Sequence, residues 1–294
     1  MIKKFLKIIY FTFCIVYLIF FLLNSSLWKN TFIETCELWL YKVIVGIIPM
    51  YIISCIIITL PFFSNLLIRI FKNFTNQKAL SIFLISLLCG NPTTAILVKK
   101  AYYNKDITLE EANHILKSSS HISFLFIILL FENKISIIII FSQIISTFIL
   151  YFSSLKPFTN KTINVNYNFL ETINTIIEEL PLILLKILSS MIIVSFIKTP
   201  FNLLNNGILN ILLSYLEVTT GINYFINLDA NPIILLILSS SILSLNGFAI
   251  ILQVFNVIKK TRLSFKAYVH GRFLHMIIST FTCLVLYLIT IFFF

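Results

Sequence analysis

The amino-acid sequence predicts an all-α polytopic membrane protein, built from two related halves that each carry a broken or re-entrant helix, behind an N-terminal transmembrane helix. Three observations predict it. Hydrophobic residues make up 59% of the chain and charged residues 11%, whereas an ordinary soluble domain is about one quarter charged. Polar surface is therefore too scarce to cover a soluble globule of 294 residues. The formal net charge of +11 is spread over short loops between apolar runs, which is how a membrane protein fixes its orientation; it gives no support to nucleic-acid binding. Finally, two long apolar stretches are interrupted by polar breaks, Gly90-Asn91-Pro92 and Asn246-Gly247. Backbone groups freed within a bilayer must be satisfied by protein or line a water-filled cavity, and paired interruptions of this kind point to a transporter's binding site.

The elements follow in order. Lys3, Lys4 and Lys7 precede an apolar run to Leu23 that is long enough to cross the bilayer. No small-x-small cleavage site follows it, so residues 1–30 read as an uncleaved first helix. The first half spans residues 31–155. In it, an amphipathic piece from Thr31 to Lys42 leads into a span from Val43 to about Phe63, followed by Arg69, Lys72 and Lys78. Ala79 to Val98 is the first broken segment, because Pro92 removes a donor and Gly90 weakens the helix before it. Thr108 with Glu111 is a capping box that starts the next helix. Apolar sequence then runs from Ile122 to Phe131 and from Ile135 to Leu155. Residues 156–168 are the polar linker between the halves.

The second half, 169–294, opens with a short helix to Glu179 and a span from Leu180 to Ile197. A helix from Gly207 to about Ile226 carries Glu217, the second broken segment runs from Pro232 to Ile258, and a last span covers Gly271 to Phe294. Sliding Gly90 onto Gly247 brings Lys99-Lys100 close to Lys259-Lys260. If both broken segments are hairpins, both basic hinges face the cytoplasm; if both cross, the halves are inverted and Lys99-Lys100 faces outward. Charge favours the first arrangement and the habit of transporter repeats the second.

Each candidate residue has a functional and a structural reading. Glu217 is a carboxylate in an apolar helix, where holding charge costs ~3 kcal/mol or more; it reads as a site for a proton or cation, with Thr219 and Thr220 as oxygen ligands, or as a carboxylate near a helix end. The breaks, with Asn91, Pro92, Thr93 and Thr94 after Gly90 and with Asn246 before Gly247, read as substrate cradles. A half-helix starting at a break offers N–H groups and a positive dipole end to a carboxylate. The alternatives are a proline kink and close helix packing. Arg272 and His275 lie three apart on one helix face; Arg272 suits a carboxylate or marks the cytoplasmic boundary, and His275 suits proton transfer. Gln253 is one more polar group in an apolar half-helix.

Five cysteines are scattered singly, without ligand spacing, so neither a disulfide framework nor a zinc site is supported and no cofactor is expected. No HExxH, Walker A or GxSxG string is present, which argues against a familiar enzyme.

The motifs resemble the sporulation integral membrane protein family called YlbJ or SpoVV, related to the nucleoside-recognition Gate domain family. The resemblance runs from about Leu38 to Leu286 and rests on four places: Cys89-Gly90-Asn91-Pro92-Thr93-Thr94-Ala95, Leu216-Glu217-Val218-Thr219-Thr220-Gly221-Ile222, Gly247 with Leu252-Gln253-Val254, and Gly271-Arg272-Phe273-Leu274-His275. Against that family's pattern, Ile96 stands for a lysine, Asn91 for an aromatic residue, Thr94 for a glycine and Ile251 for a histidine, and an Asn-Asn pair becomes Ser120-His121. The resemblance implies a protein of endospore formers that moves dipicolinic acid across the outer forespore membrane. The reading taken forward is secondary transport of a small carboxylate, with a proton or cation as coupling partner. A nucleoside or other planar solute, and a structural component of the spore membrane assembly, are the alternatives.

Overall fold

The computed structural model describes residues 2–60, 77–119, 121–131, 134–153, 169–204, 206–228 and 230–293, and these are all-helical. The helices are α1 (Ile2–Leu23), α2 (Ser25–Leu38), α3 (Val45–Thr59), α4 (Gln77–Cys89), α5 (Thr93–Tyr103), α6 (Leu109–Ser118) and α7 (Phe124–Phe131), then α8 (Lys134–Ser153), α9 (Phe169–Asn202), α10 (Gly207–Ser214), α11 (Val218–Ile226), α12 (Pro232–Leu245), α13 (Gly247–Ile258) and α14 (Phe265–Phe293). Six helical stretches among the described residues are long and apolar enough to cross a membrane, and the chain is a multi-pass membrane protein. Large apolar side chains such as Phe11, Leu23, Leu170 and Phe292 are exposed, as suits contact with lipid. Arg69, Lys72 and the linker 156–168 lie outside the described residues.

Two elements expected in pieces are continuous. A π-helical turn, Trp39–Ile44, joins α2 to α3 into one run from Ser25 to Thr59, and Pro181 is accommodated inside α9. The two long helices lie antiparallel: Thr35 Oγ1 donates to Ser195 Oγ (2.9 Å), Trp39 Nε1 to the Leu184 carbonyl (3.1 Å), and the Tyr51 hydroxyl to Glu179 Oε2 (2.9 Å). α1 meets α9 near its far end, where the Phe21 and Phe196 rings stack at 4.3 Å.

The helix expected over Gly207 to Ile226 is a hairpin instead. α10 and α11 turn back on each other at Tyr215-Leu216-Glu217, and both line one cavity of about 320 Å³ together with Glu34, Lys198 and Asn202. The first broken segment is also a hairpin. Lys78 and Ile82 of α4 line a second cavity, of about 280 Å³, with Leu97 and Lys100 of α5 and with Thr59 and Glu171. Because α3 ends and α9 begins at the second cavity, while α2 and the end of α9 meet the first, the hairpins enter from opposite ends of the bundle.

The second broken segment does cross. Along α14, Tyr268 meets Asn246, Arg272 meets Ser244 and Ser279 meets Ser240, so α12 runs antiparallel to α14 before the chain bends at Asn246 into α13. α6, which ends at Ser118, and α7, which starts at Phe124, form a comparable interrupted passage. Its capping box is present as expected: Glu111 N donates to Thr108 Oγ1 (3.2 Å) and Thr108 N to Glu111 Oε2 (2.7 Å).

The alignment of Gly90 with Gly247 therefore matched a hairpin tip to a bent crossing helix. Neither arrangement foreseen for the hinges holds whole. One broken segment returns and the other crosses, yet Tyr103 Oη donates to the Lys260 carbonyl (3.4 Å), which puts Lys99-Lys100 and Lys259-Lys260 at the same end. The last span begins at Phe265, six residues earlier than expected, so Arg272 and His275 lie inside the helix. Gly271 permits a close α6–α14 crossing, since a Cβ there would sit 2.0 Å from the Lys117 carbonyl oxygen of α6.

Two predictions follow from these contacts. In a background without the native cysteines, Asn104→Cys and Lys259→Cys react with a membrane-impermeant maleimide from one side and Asn227→Cys from the other; reaction of Asn104→Cys and Asn227→Cys from the same side contradicts the opposed hairpins. Gly271→Ala overpacks the α6–α14 crossing and costs ~1–3 kcal/mol, read as a lower melting midpoint in detergent.

Candidate functional site

The tips of the two hairpins meet near mid-depth. At the tip of the first, Gly90 adopts φ +62°, a conformation that carries no Cβ penalty in glycine; a Cβ there would also lie 2.4 Å from Ser123 N. This contact seats the tip in the break of the α6–α7 passage, where Asn91 N donates to the His121 carbonyl (2.8 Å). At the second tip the relation recurs with the break of α12–α13: Phe248 N donates to the Tyr215 carbonyl (3.1 Å) and Ala249 N to the Leu216 carbonyl (2.9 Å). Each hairpin thus supplies or takes up the backbone groups that a broken crossing leaves unmatched.

Glu217 stands at the N-cap of α11. Its carboxylate accepts from Thr219 N (2.9 Å) and Thr220 N (2.7 Å), and only 3% of the residue is exposed. The charge expected mid-helix is therefore held by two backbone donors and the positive end of a helix dipole. α5 begins without a side-chain cap. Asn91 Oδ1 and Thr93 Oγ1, both buried, have no hydrogen-bond partner among the described residues, while Thr94 Oγ1 bonds back to the Gly90 carbonyl (3.0 Å). A cavity of about 40 Å³, room for only a few waters, lies between the tips; it is lined by Asn91, Glu217, Thr219, Gln253 and apolar neighbours that include Phe126 and Met191.

α14 ties the breaks together. The Tyr268 hydroxyl accepts from Asn91 Nδ2 and Asn246 Nδ2, each at 3.3 Å, so both breaks converge on one oxygen. One turn on, Arg272 is fully buried, with its guanidinium 5.8 Å from the Tyr268 ring centroid. It donates to the Lys117 carbonyl at the end of α6 (3.2 Å) and approaches the Ser244 carbonyl near the end of α12 (3.5 Å). No carboxylate pairs with it among the described residues, and its Nε is without a partner. The negative dipole ends of two half-helices supply the compensating charge. Arg272 is thus neither a boundary marker nor a lining residue of the three cavities.

His275 Nε2 lies 2.9 Å from Thr147 Oγ1 and 3.1 Å from Ser146 Oγ of α8, away from the central cavity. It belongs to a polar seam where Gln143 Nε2 donates to Ser244 Oγ and Ser279 Oγ, each at 2.8 Å. Gln253 donates to Ser190 Oγ of α9, and Asn246 adopts φ +72° just ahead of Gly247 at φ +60°. The structure gathers Asn91, Glu217, Thr219 and Gln253 at one cavity, attaches Asn246 and Arg272 to it through Tyr268 and α14, and leaves His275 in the helix seam.

Sequence reasoning missed Tyr268, Gln143 and Lys198. It also passed over a short match: Asn91-Pro92-Thr93-Thr94-Ala95-Ile96 at one tip and Glu217-Val218-Thr219-Thr220-Gly221-Ile222 at the other share Thr-Thr-small-Ile. That match sets Asn91 against Glu217, and both line the same central cavity, although the cap position of α5 is Pro92. Among the described residues no three His, Cys, Asp or Glu side chains group as metal ligands would. No protein-family model, curated protein or solved structure matches the chain.

Removing the shared acceptor tests the convergence of the breaks. Tyr268→Phe removes the acceptor shared by two buried amides and costs ~1–3 kcal/mol, read as a lower melting midpoint in detergent. In the Asn91→Ala background the same change costs less, because one of the two amides is already gone.

Proposed function

We propose that the chain is a secondary transporter of a small carboxylate, built as two halves in inverted repeat and working by alternating access. In this reading α2–α3, the α4–α5 hairpin, the α6–α7 passage and α8 correspond in turn to α9, the α10–α11 hairpin, the α12–α13 passage and α14. The observation that carries it is the pair of cavities, one at each end, behind oppositely directed hairpins whose tips close on a shared central space. Binding between discontinuous helices at mid-depth, with access alternating around a fixed site, is the logic of inverted-repeat transporters. The central space is far smaller than a drug-sized site, so solute enters only when one hairpin swings away.

The asymmetry of the tips supports an anionic solute. At α11 the helix N-terminus holds its own carboxylate, Glu217; at α5 the N-cap is Pro92, preceded by the neutral Asn91, and no side chain caps the helix. A carboxylate brought by the solute would meet the start of α5 with Asn91 and Thr93 as hydrogen-bonding neighbours, the Thr94 N–H being already taken by the Gly90 carbonyl (2.9 Å). The α13 N-terminus contributes less than its sequence promised, because Tyr215 and Leu216 already accept from its first N–H groups. Dipicolinate, moved across the outer forespore membrane during sporulation, is the solute that the resemblance to the YlbJ or SpoVV family implies. Glu217 serves as the coupling site for a proton or cation.

Counterflow of labelled dipicolinate in proteoliposomes tests the proposal. The parent exchanges dipicolinate, and Glu217→Gln lowers the rate at least about tenfold, about 1.4 kcal/mol, at unchanged abundance. Competition by uridine but not by dipicolinate would reassign the solute to the nucleoside class, and exchange of neither would leave the transport reading without support.

A further inference from the structure

The first turn of α11 is the partition between two cavities. Glu217 and Thr219 face the central space, whereas Thr220 faces the cavity of about 320 Å³ at the end opposite the basic hinges. Behind that partition stands Lys198 of α9, the thirtieth residue of a 34-residue span-length helix. Its ammonium donates to Thr220 Oγ1 (3.0 Å), and the backbone N of the same threonine donates to Glu217 Oε2 (2.7 Å). Two carboxylates lie within electrostatic range of Lys198: Glu217 on the hairpin and Glu34 on α2, at the cavity's exposed rim. One cation therefore stands near an acid on the long-helix pair and an acid on the hairpin, linked to the second through Thr220 and, among the described residues, without a close ion pair to either.

This placement has a consequence for charge. A carboxylate in a nonpolar surround needs a counter-charge, a proton or several donors. While the hairpin rests on α9, Lys198 helps to supply the counter-charge. When the hairpin leaves, Lys198 keeps Glu34, and Glu217 must find another cation. The rest of the lining, mainly threonine hydroxyls and asparagine amides such as Asn210 and Asn223, is neutral and can pass water and small ions without binding them tightly.

We infer that Lys198 is a built-in counter-ion for Glu217 that holds the α10–α11 hairpin shut, and that a monovalent cation, proton or metal ion, entering by this cavity replaces it as the hairpin opens. This rests on the transport reading above and adds the regulation of its coupling site. Lys198 acts through Glu217 and is a positioning residue.

The test reads hairpin opening without any solute, so its outcome is separable from that of dipicolinate counterflow. Thr219→Cys is introduced into the full-length chain without native cysteines, and its modification by an impermeant maleimide is followed in proteoliposomes. Acid, or sodium in place of choline at constant pH, should speed labelling several-fold; acid alone identifies the proton and sodium a metal ion. Lys198→Met should speed labelling in choline at neutral pH and flatten that dependence. Glu34→Gln, which leaves Lys198 wholly to Glu217, should slow labelling, so a failure of Lys198→Met to accumulate still leaves a decisive measurement. Labelling insensitive to both cations, or unaltered or faster in Glu34→Gln, would overturn the inference even if dipicolinate exchange is intact. Labelling as expected with no dipicolinate exchange would keep the gate and discard the solute.

Discussion

Everything in this fold depends on one constraint: a backbone group released inside a hydrocarbon slab has no water to turn to. The chain breaks its helices at two hairpin tips and in two crossing passages, and every break leaves N–H and C=O groups without their intrahelical partners. The solution is mutual. The His121 carbonyl takes the Asn91 N–H, while the Tyr215 and Leu216 carbonyls take the Phe248 and Ala249 N–H groups. On α14, Arg272 reaches carbonyls at the ends of α6 and α12, and Tyr268 accepts from the side-chain amides of Asn91 and Asn246 at the two breaks. The polar centre is thus a by-product of satisfying the backbone, and the space it encloses comes ready lined with hydrogen-bonding groups.

Much of this was legible in the sequence, and the limit has a physical cause. The breaks were readable because glycine beside asparagine or proline cannot sit quietly in a helix. The capping box at Thr108 and Glu111 was readable because it is a local, two-way exchange of hydrogen bonds. Whether a broken segment returns or crosses was not readable, since both use the same short apolar half-helices and hydropathy carries no direction. The π-helical join at Trp39–Ile44 leaves no signature either, because it costs no change of residue type. The shared Thr-Thr-small-Ile string did mark the corresponding tips, but glycine drew the eye to Gly247 instead. Lys198 was not weighed, and Arg272 was half-discounted because a cation directly after a basic hinge reads as a boundary charge; only the fold reveals that Arg272 is buried and that Lys198 lines a cavity.

The two sides of the bundle are held by different chemistry. Between α8, α12 and α14 the contacts are a close-set seam of serines with Gln143 and His275, short side chains that let helices approach closely and bond across the interface. The hairpins are tied to α9 by longer reaches, Lys100 to Glu179 at one end (2.6 Å) and Lys198 to Thr220 at the other (3.0 Å). A long side chain holding one partner can let go and be re-made more readily than an interdigitated serine seam. The hairpin ties to α9 are thus the more readily remade of the two kinds of contact.

The position of Arg272 also bears on how the molecule is made. Its helix is delivered after α6 and α12, yet it closes the ends of both. Until α14 inserts, the Lys117 and Ser244 carbonyls and their dipoles lack the cation that later neutralises them, and the notch into which Gly271 fits on α6 stays open. The early helices must therefore wait at the translocon, or beside water, in a provisional arrangement. Assembly of the polar centre thus waits on a helix that emerges well after the helices it joins.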